Sequence, residues 1–354
     1  MSADDSNAGP VAAPAAKAGD AWRIHFALLD EHFEFWEGEP NRQIQEDRLR
    51  RLGGAEFVLA PAPDAADAIV FLESNGYKDW RFVGRLEADP RLRRHPGRCF
   101  TLNYADTPVT FLPGVYANLP RWRQRPDWTR AGGYYVGNPN PLAAEFEHAA
   151  WAPRFLFSFR GAASHPVRSG LFARTAEWGR FGPVTKMDRW FNHTPDEQRA
   201  YLEEIAFSRF VLCPRGIGGA SHRLFEVMRL GRTPVIVADD WAPPEGPEWS
   251  RFSVVVAEGN LDSIPERLGA LADRSEAMGL RARRAWEEWF APEVALVRQL
   301  QALRDLAQVR SHAGGIGLSR RWRRHRFRHE HGWTLVQRLM RRLRAARPRF
   351  TASP

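Results

Sequence analysis

Residues 208–240, SRFVLCPRGIGGASHRLFEVMRLGRTPVIVADD, contain in order the residue types of a strand, a glycine-rich loop, a helix and a second strand. Residues 209–213 form a mostly apolar run that is too short for a helix, and Pro214 removes a backbone donor at its end. Residues 233–238 form a continuous β-branched and apolar run, which is typical of a parallel strand covered on both faces. The stretch therefore predicts a βαβ unit.

The loop of this unit has the composition of an anion-binding loop. It contains Gly216, Gly218 and Gly219, which permit a positive φ and leave backbone N–H groups unobstructed. The loop enters a helix near Ser221, which is placed to cap it, and Gly231 is placed to end it. Backbone N–H groups at a helix N-terminus favour a negatively charged ligand.

Two charged residues of the predicted helix suit a nucleotide. Arg223 stands in the first turn, where a cation opposes the helix dipole by about 0.3–1 kcal/mol and gains from a compensating anion. Glu226 lies three residues later, on the same side and one turn deeper. A nucleotide across the helix start would place its diphosphate near Arg223 and its ribose near Glu226. The alternative is a surface ion pair beside a structural turn, which is the commoner explanation of an isolated Arg-x-x-Glu.

The stretch also carries a longer motif. Its elements are Cys213-Pro214-Arg215-Gly216, Gly218, Ser221, Arg223-Leu224-Phe225-Glu226, Gly231, Pro234-Val235-Ile236 and Asp239-Asp240. A Trp-x-x-Phe-Ser-Val segment follows at 249–254. This order of elements resembles the exostosin family of glycosyltransferases, from which the chain departs at Arg232, where the family more often carries a small or polar residue. The N-terminal third shares little with that family.

The resemblance implies an α/β fold of the GT-B type, with two Rossmann-like domains that face a cleft. The length of 354 residues suffices for two cores, and apolar runs at 22–29, 68–72 and 99–103 predict strands of a first domain. Turn-forming residues at 137–141 indicate a linker. The predicted parts are a disordered leader at 1–20, an acceptor-side domain at 21–150, a nucleotide-sugar-binding domain at 151–310 and a basic amphipathic tail at 311–354.

The second domain opens with an apolar strand that leads into Arg160 and Gly161. This turn resembles the Phe-x-Gly turn of the family, which an arginine follows a few residues later, here Arg168. On that resemblance Arg160 and Arg168 face the same diphosphate as Arg215 and Arg223. For Arg168, a solvated position on a helix is an equal alternative.

Candidate residues for the chemistry are carboxylates. The chain contains no Asp-x-Asp motif, so we expect a metal-independent site in which arginines and a helix N-terminus stabilise the leaving nucleoside diphosphate. Asp239 would touch the donor sugar, or it is a turn residue. The resemblance implies inversion, which requires a general base on the acceptor side, and the candidates are Asp106 and Glu73. Their plain alternatives are an Asp-Thr-Pro turn and a solvated loop acid.

The positive charge of the chain is concentrated near its C-terminus. Residues 320–349 contain 12 arginines and one acid, a local charge of +11, whereas the remaining residues sum to −2. Apolar residues at 335, 336, 339, 340 and 343 fall at helical spacing beside the arginines, which predicts contact with an anionic membrane surface. The alternatives are a solvated tail and nucleic-acid binding, which the slightly acidic body and the lack of a recognition motif disfavour.

The sequence thus predicts an inverting glycosyltransferase that uses a nucleoside-diphosphate sugar, expected to be a UDP-sugar, as co-substrate and needs no cofactor. Its acceptor would be a glycan or a lipid-linked molecule. No apolar run reaches 18 residues, and Asp4 and Asp5 stand where a signal peptide needs positive charge, so we expect a cytoplasmic protein, peripheral on the inner face of the membrane. The alternative class is a non-catalytic protein that binds membrane or nucleic acid through its arginine-rich tail.

Overall fold

The computed structural model shows two parallel β-sheets, each covered by helices. It describes residues 21–29, 38–52, 54, 56–73, 80–106, 108–133, 141–146, 152–189, 193–309 and 318. Within these residues, no helix combines the length and the apolar composition needed to cross a bilayer. The predicted leader and most of the predicted tail, including residues 320–349, lie outside the described residues.

The first sheet belongs to the N-terminal half of the chain. Its strands, β1 to β6, are Trp22–Ala27, Phe57–Leu59, Ala68–Glu73, Cys99–Asn103, Gly114–Tyr116 and Thr129–Ala131. Their order in the sheet is β2-β1-β3-β4-β5-β6, and every neighbouring pair is parallel. The helices α1 to α3 are Gly38–Arg51, Trp80–Ala88 and Pro90–Arg94.

The second sheet follows in the C-terminal half. Its strands, β7 to β11, are Phe155–Ala162, Val184–Met187, Ser208–Pro214, Thr233–Val237 and Val254–Val255. Their order is β11-β10-β9-β7-β8, again all parallel. The helices α4 to α10 are Pro166–Phe172, Thr175–Trp178, Pro195–Ala206, His222–Arg229, Ile264–Gly269, Ser275–Trp289 and Pro292–Val309. Two parallel sheets of this kind confirm the predicted class of two Rossmann-like domains of the GT-B type.

The central βαβ unit forms as its sequence predicts. The whole of β10 pairs in parallel with residues 210–214 of β9, because both runs are apolar and buried on both faces. Between them α7 ends at Arg229, and Gly231 follows with a φ of +65°, the left-handed conformation that glycine adopts at no steric cost. Helix α6, which precedes the unit, begins with a capping box between Thr194 and Glu197.

The loop glycines are needed for a different structural reason from the one that the sequence predicted. None of Gly216, Gly218 and Gly219 has a positive φ, so the expected conformational reason is wrong. Close packing requires them instead. A Cβ at Gly218 would lie 2.3 Å from Oδ1 of Asn118, and a Cβ at Gly219 would lie 3.0 Å from Cβ of Trp241.

The C-terminal helix crosses back to the first domain. Leu296, Leu300 and Leu303 of α10 are fully buried in the core of the first sheet, and Gln299 Oε1 accepts a hydrogen bond from the Tyr104 hydroxyl at 3.1 Å. Helix α10 therefore lies inside the range predicted for the second domain, 151–310, but packs on the first.

Gly84 and Gly279 both lie inside helices, and the structure predicts opposite effects of replacing them. A Cβ at Gly279 in α9 would lie 2.2 Å from the carbonyl oxygen of Gly231, whereas one at Gly84 in α2 meets nothing within 4 Å. We expect Gly279→Ala to lower the free energy of unfolding by about 1–3 kcal/mol through overpacking. Gly84→Ala should raise it by about 0.5–1 kcal/mol through helix propensity. Urea unfolding measures both, and equal stability of the two variants would contradict this packing of α9.

Candidate functional site

The carboxyl ends of β7 and β9 lie side by side, with the start of α7 directly after the β9 loop. In open parallel sheets this edge is where ligands bind. Three arginines from these elements, Arg160, Arg215 and Arg223, meet here, and Arg168 reaches the same point from α4. The sequence had placed these four residues together, and their contacts determine what each can do.

Arg223 is a buried cation with unmet hydrogen-bonding capacity. It is 8% exposed, and its Nη2 donates to the carbonyl oxygen of Arg160. Its guanidinium lies over the rings of Phe159, at 4.6 Å, and Tyr201, at 5.4 Å. Its Nε and Nη1 are buried and have no partner among the described residues. A Cβ at Gly161 would lie 3.1 Å from Nη2, so the glycine makes room for this arrangement.

Arg168 organises the backbone of the same edge. Its Nε, Nη1 and Nη2 donate to the carbonyl oxygens of Arg215, Ala162 and Pro214 at 3.0, 3.4 and 3.2 Å. Burial and the charge of nearby Arg223 lower the pKa of Arg168. The alternative of a solvated helix residue is therefore wrong. Its predicted contact with a diphosphate stays a prediction.

The side chain of Arg160 is already engaged. Its Nε donates to Oε2 of Glu204 at 2.9 Å, and Glu204 is 7% exposed. Burial raises the pKa of Glu204, and the adjacent Arg160 opposes that rise. Arg160 thus contributes its carbonyl oxygen to Arg223 while its guanidinium neutralises a buried acid.

Arg215 is paired with an acid that the sequence did not single out. Its Nη1 lies 3.5 Å from Oε1 of Glu258, while its Nε is buried without a partner in the described part of the chain. Glu258 also exchanges two hydrogen bonds of 3.0 Å with Asp239, each main-chain N–H donating to the other carboxylate. Asp239 has therefore the geometry of a turn residue, which was the plain alternative for it.

A hydrogen bond from a tyrosine orients the carboxylate of Glu226. The hydroxyl of Tyr201 donates to Oε2 of Glu226 at 2.5 Å, and burial together with this carboxylate raises the pKa of Tyr201. Glu226 is 9% exposed, so Arg223 and Glu226 are both buried and a surface ion pair is excluded. The predicted contact of Glu226 with a ribose stays a prediction.

The start of α7 is not capped as predicted. Ser221 occupies the N-cap position with extended backbone angles, φ −136° and ψ 134°, but its hydroxyl makes no capping hydrogen bond. The helix start therefore keeps the polarity that suits an anion.

The structure brings one of the two candidate bases to this edge. Asp106 follows β4, and its carbonyl oxygen would lie 2.9 Å from a Cβ at Gly218, so the loops of the two domains touch there. Burial and Arg223 lower the pKa of Arg168, and the carboxylate of Asp106 partly opposes that lowering. Glu73, at the end of β3, is 6% exposed and accepts a hydrogen bond from Nδ2 of Asn103 at 3.2 Å. A solvated loop position for Glu73 is therefore wrong.

Asn118, Tyr201 and Glu258 are the residues of this region that sequence reasoning missed. Each contacts a predicted residue or loop from a distant part of the chain, and none lies in a recognisable motif. Asn118 is 2% exposed and its Oδ1 accepts a hydrogen bond from the main-chain N–H of Ala220 at 2.8 Å, across the domain interface.

Comparison with known proteins agrees with the sequence motif. Residues 148–271 match the Exostosin GT47 domain. Exostosin-2 of Bos taurus is 31% identical over 199 residues, which are 50% of this chain and 27% of that protein. A probable glucuronoxylan glucuronosyltransferase of Arabidopsis thaliana is 38% identical over 123 residues, which are 32% of this chain and 27% of that protein. The chain thus spans about a quarter of the length of these relatives.

Among solved structures, a crystal structure of an α1,3-fucosyltransferase aligns with 85% of this chain and 95% of its own, at 10% identity and a TM-score of 0.42. The sequence matches confirm the resemblance that the motif indicated, since residues 148–271 match the Exostosin GT47 domain and exostosin-2 is similar over half of this chain.

Proposed function

We propose that this chain transfers a sugar from a nucleoside-diphosphate donor, expected to be a UDP-sugar, to a glycan or lipid-linked acceptor. The observation that carries the proposal is the buried guanidinium of Arg223, whose Nε and Nη1 lack partners among the described residues. A buried cation with unmet donors costs free energy until an anion supplies acceptors. The diphosphate of a sugar nucleotide is such an anion.

The neighbouring groups support the same ligand. Arg168 places a second positive charge beside Arg223, and the Nε of Arg215 adds another buried donor without a partner in the described region. The start of α7 has no side-chain cap, and such a helix N-terminus favours an anion. Positive groups held in place before the reaction can stabilise the negative charge that develops on a leaving diphosphate.

The two domains would divide the reaction between them. Glu226, oriented by Tyr201, would accept hydrogen bonds from ribose hydroxyls on the donor side. Asp106, on the acceptor side, would remove the proton from the attacking hydroxyl as it attacks the anomeric carbon from the face opposite the leaving diphosphate. That arrangement inverts the configuration at the anomeric carbon.

Arg223 can be tested against an arginine at the other end of the same helix. Arg223→Lys keeps the charge but loses the fork of donors, so the dissociation constant for UDP should rise by about tenfold or more, which corresponds to about 1.5–3 kcal/mol. Arg229→Lys, whose arginine lies over the ring of Trp286 at 5.3 Å, should bind UDP like the parent protein. Isothermal titration calorimetry measures both affinities. Unchanged UDP affinity in folded Arg223→Lys would refute the proposed diphosphate contact.

The second expectation is that sugar transfer needs no metal ion. The chain contains no Asp-x-Asp motif, and the arginines would take the place of a metal cation at the diphosphate. Sugar transfer should proceed at the same rate with a chelator such as EDTA as without it. A rate that falls in chelator and returns with manganese or magnesium would contradict this expectation.

The base is tested by isosteric amides. Asp106→Asn should lower the rate of transfer by about a hundredfold or more while the affinity for UDP changes little, because the carboxylate acts in the transition state. Glu73→Gln is the comparison, since its acid is buried at the end of the neighbouring strand β3. Loss of turnover in Glu73→Gln with near-normal turnover in Asp106→Asn would transfer the role to Glu73.

We also propose that residues 320–349 attach the enzyme to the cytoplasmic face of a membrane, where lipid-linked acceptors are found. The charge of this segment supports the proposal, since it carries +11 while the rest of the chain sums to −2. Basic residues near an anionic bilayer contribute about 1 kcal/mol each.

A further inference from the structure

Asn118 connects two loops that belong to different domains. It lies two residues after β5, and its side chain is 2% exposed. Its Oδ1 accepts a hydrogen bond from the main-chain N–H of Ala220 at 2.8 Å. Its Nδ2 donates to the carbonyl oxygen of Ala105 at 3.1 Å. Because one partner is a donor and the other an acceptor, a single orientation of the amide satisfies both.

The two loops are those that carry the proposed chemistry. Ala105 directly precedes Asp106, the proposed base, and Ala220 directly precedes Ser221 at the start of α7. One planar amide therefore joins the backbone beside the base to the backbone of the glycine-rich loop. Such a connection has little freedom to lengthen, since both polar ends are in use.

The packing around Gly218 makes this connection tight. A Cβ at Gly218 would lie 2.3 Å from Oδ1 of Asn118 and 2.9 Å from the carbonyl oxygen of Asp106. The glycine-rich loop thus rests on both the amide and the base loop. Any side chain at this position would push the two loops apart.

Other contacts hold the domains together without Asn118. Nε1 of Trp241 donates to the carbonyl oxygen of Ala117 at 3.2 Å, and the main-chain N–H of Ala242 donates to Leu119 at 2.9 Å. The main-chain N–H of Arg121 donates to the carbonyl oxygen of Asp240 at 2.7 Å. Loss of the Asn118 amide would therefore leave the domains docked while it releases the two loops from each other.

We infer that Asn118 is a positioning residue for sugar transfer, which holds the loop of Asp106 at a fixed distance from the glycine-rich loop that receives the donor. The inference rests on the proposed function. Its physical basis is that transfer requires the base and the anomeric carbon to be aligned closely, and a misplacement of about 1 Å can cost about a hundredfold in rate.

The kinetic test compares Asn118→Ala with Trp241→Phe, which removes a different interdomain hydrogen bond and does not touch the base loop. Asn118→Ala should lower kcat for transfer by about 10- to 100-fold, with the dissociation constant for UDP within about threefold of the parent value. Trp241→Phe should keep kcat within about threefold. The inference is overturned if Asn118→Ala keeps its kcat, if its UDP affinity falls in step with kcat, or if Trp241→Phe loses as much activity.

Hydrogen exchange tests the connection without any substrate. In Asn118→Ala the main-chain amides of residues 104–106 and 218–221 should both exchange faster, because the two loops are no longer joined, whereas Trp241→Phe should leave residues 104–106 unchanged. Faster exchange in only one loop, or in neither, overturns the inference even if the parent protein transfers no sugar. If the parent protein binds no nucleoside diphosphate while both loops exchange faster in Asn118→Ala, the proposed function is refuted and the connection between the loops is established.

Gly218→Ala is a second variant for the case in which Asn118→Ala does not fold. It keeps Asn118 but pushes against its amide, so faster exchange in both loops and a lower kcat are again expected. A Gly218→Ala protein with normal exchange in residues 104–106 would count against the inference.

Discussion

The burial of the Arg223 guanidinium is the constraint on which the rest of the donor site depends. A charge removed from water costs several kcal/mol unless its donors are satisfied, and among the described residues only Nη2 of Arg223 has an acceptor, the carbonyl oxygen of Arg160. The rings of Phe159 and Tyr201 offset part of this cost through cation–π contact, by about 0.5–2 kcal/mol each. Arg168 adds a charge of the same sign. The two like charges therefore raise the electrostatic free energy of this site, and the surrounding structure must offset that cost.

Buried charges stay in place only if the surrounding structure is rigid, and residues close in sequence to the arginines provide that rigidity. Every residue of β10 and all of β9 except Arg209 are buried, and Gly161 and Gly216 leave room for the guanidinium groups of Arg223 and Arg168. Gly218 lets Asn118 and Asp106 of the first domain lie against the glycine-rich loop. These positions therefore need glycine because other groups lie close to them, and not because the backbone adopts a positive φ.

The features that could be predicted from sequence are those determined by residues that are neighbours along the chain. The apolar runs of β9 and β10 were predicted correctly, but β5 and β6 were not, because strands of three residues have no periodicity of their own. In the site, the charged residues came from a motif, whereas their partners Tyr201, Glu258 and Asn118 stand 25, 43 and 102 residues from the groups they contact. Contacts over such separations are decided by the packing of the two sheets.

The match to the Exostosin GT47 domain covers only part of the proposed site. The Exostosin GT47 match covers residues 148–271, which include the four arginines and Glu226, but not the first sheet or α10. Leu296, Leu300 and Leu303 of α10 complete the core of that first sheet, so the C-terminal helix and the N-terminal half fold onto each other. Asp106 and Asn118 belong to this unmatched half. The proposed diphosphate contacts therefore lie inside the matched segment, whereas the proposed base and Asn118 lie outside it.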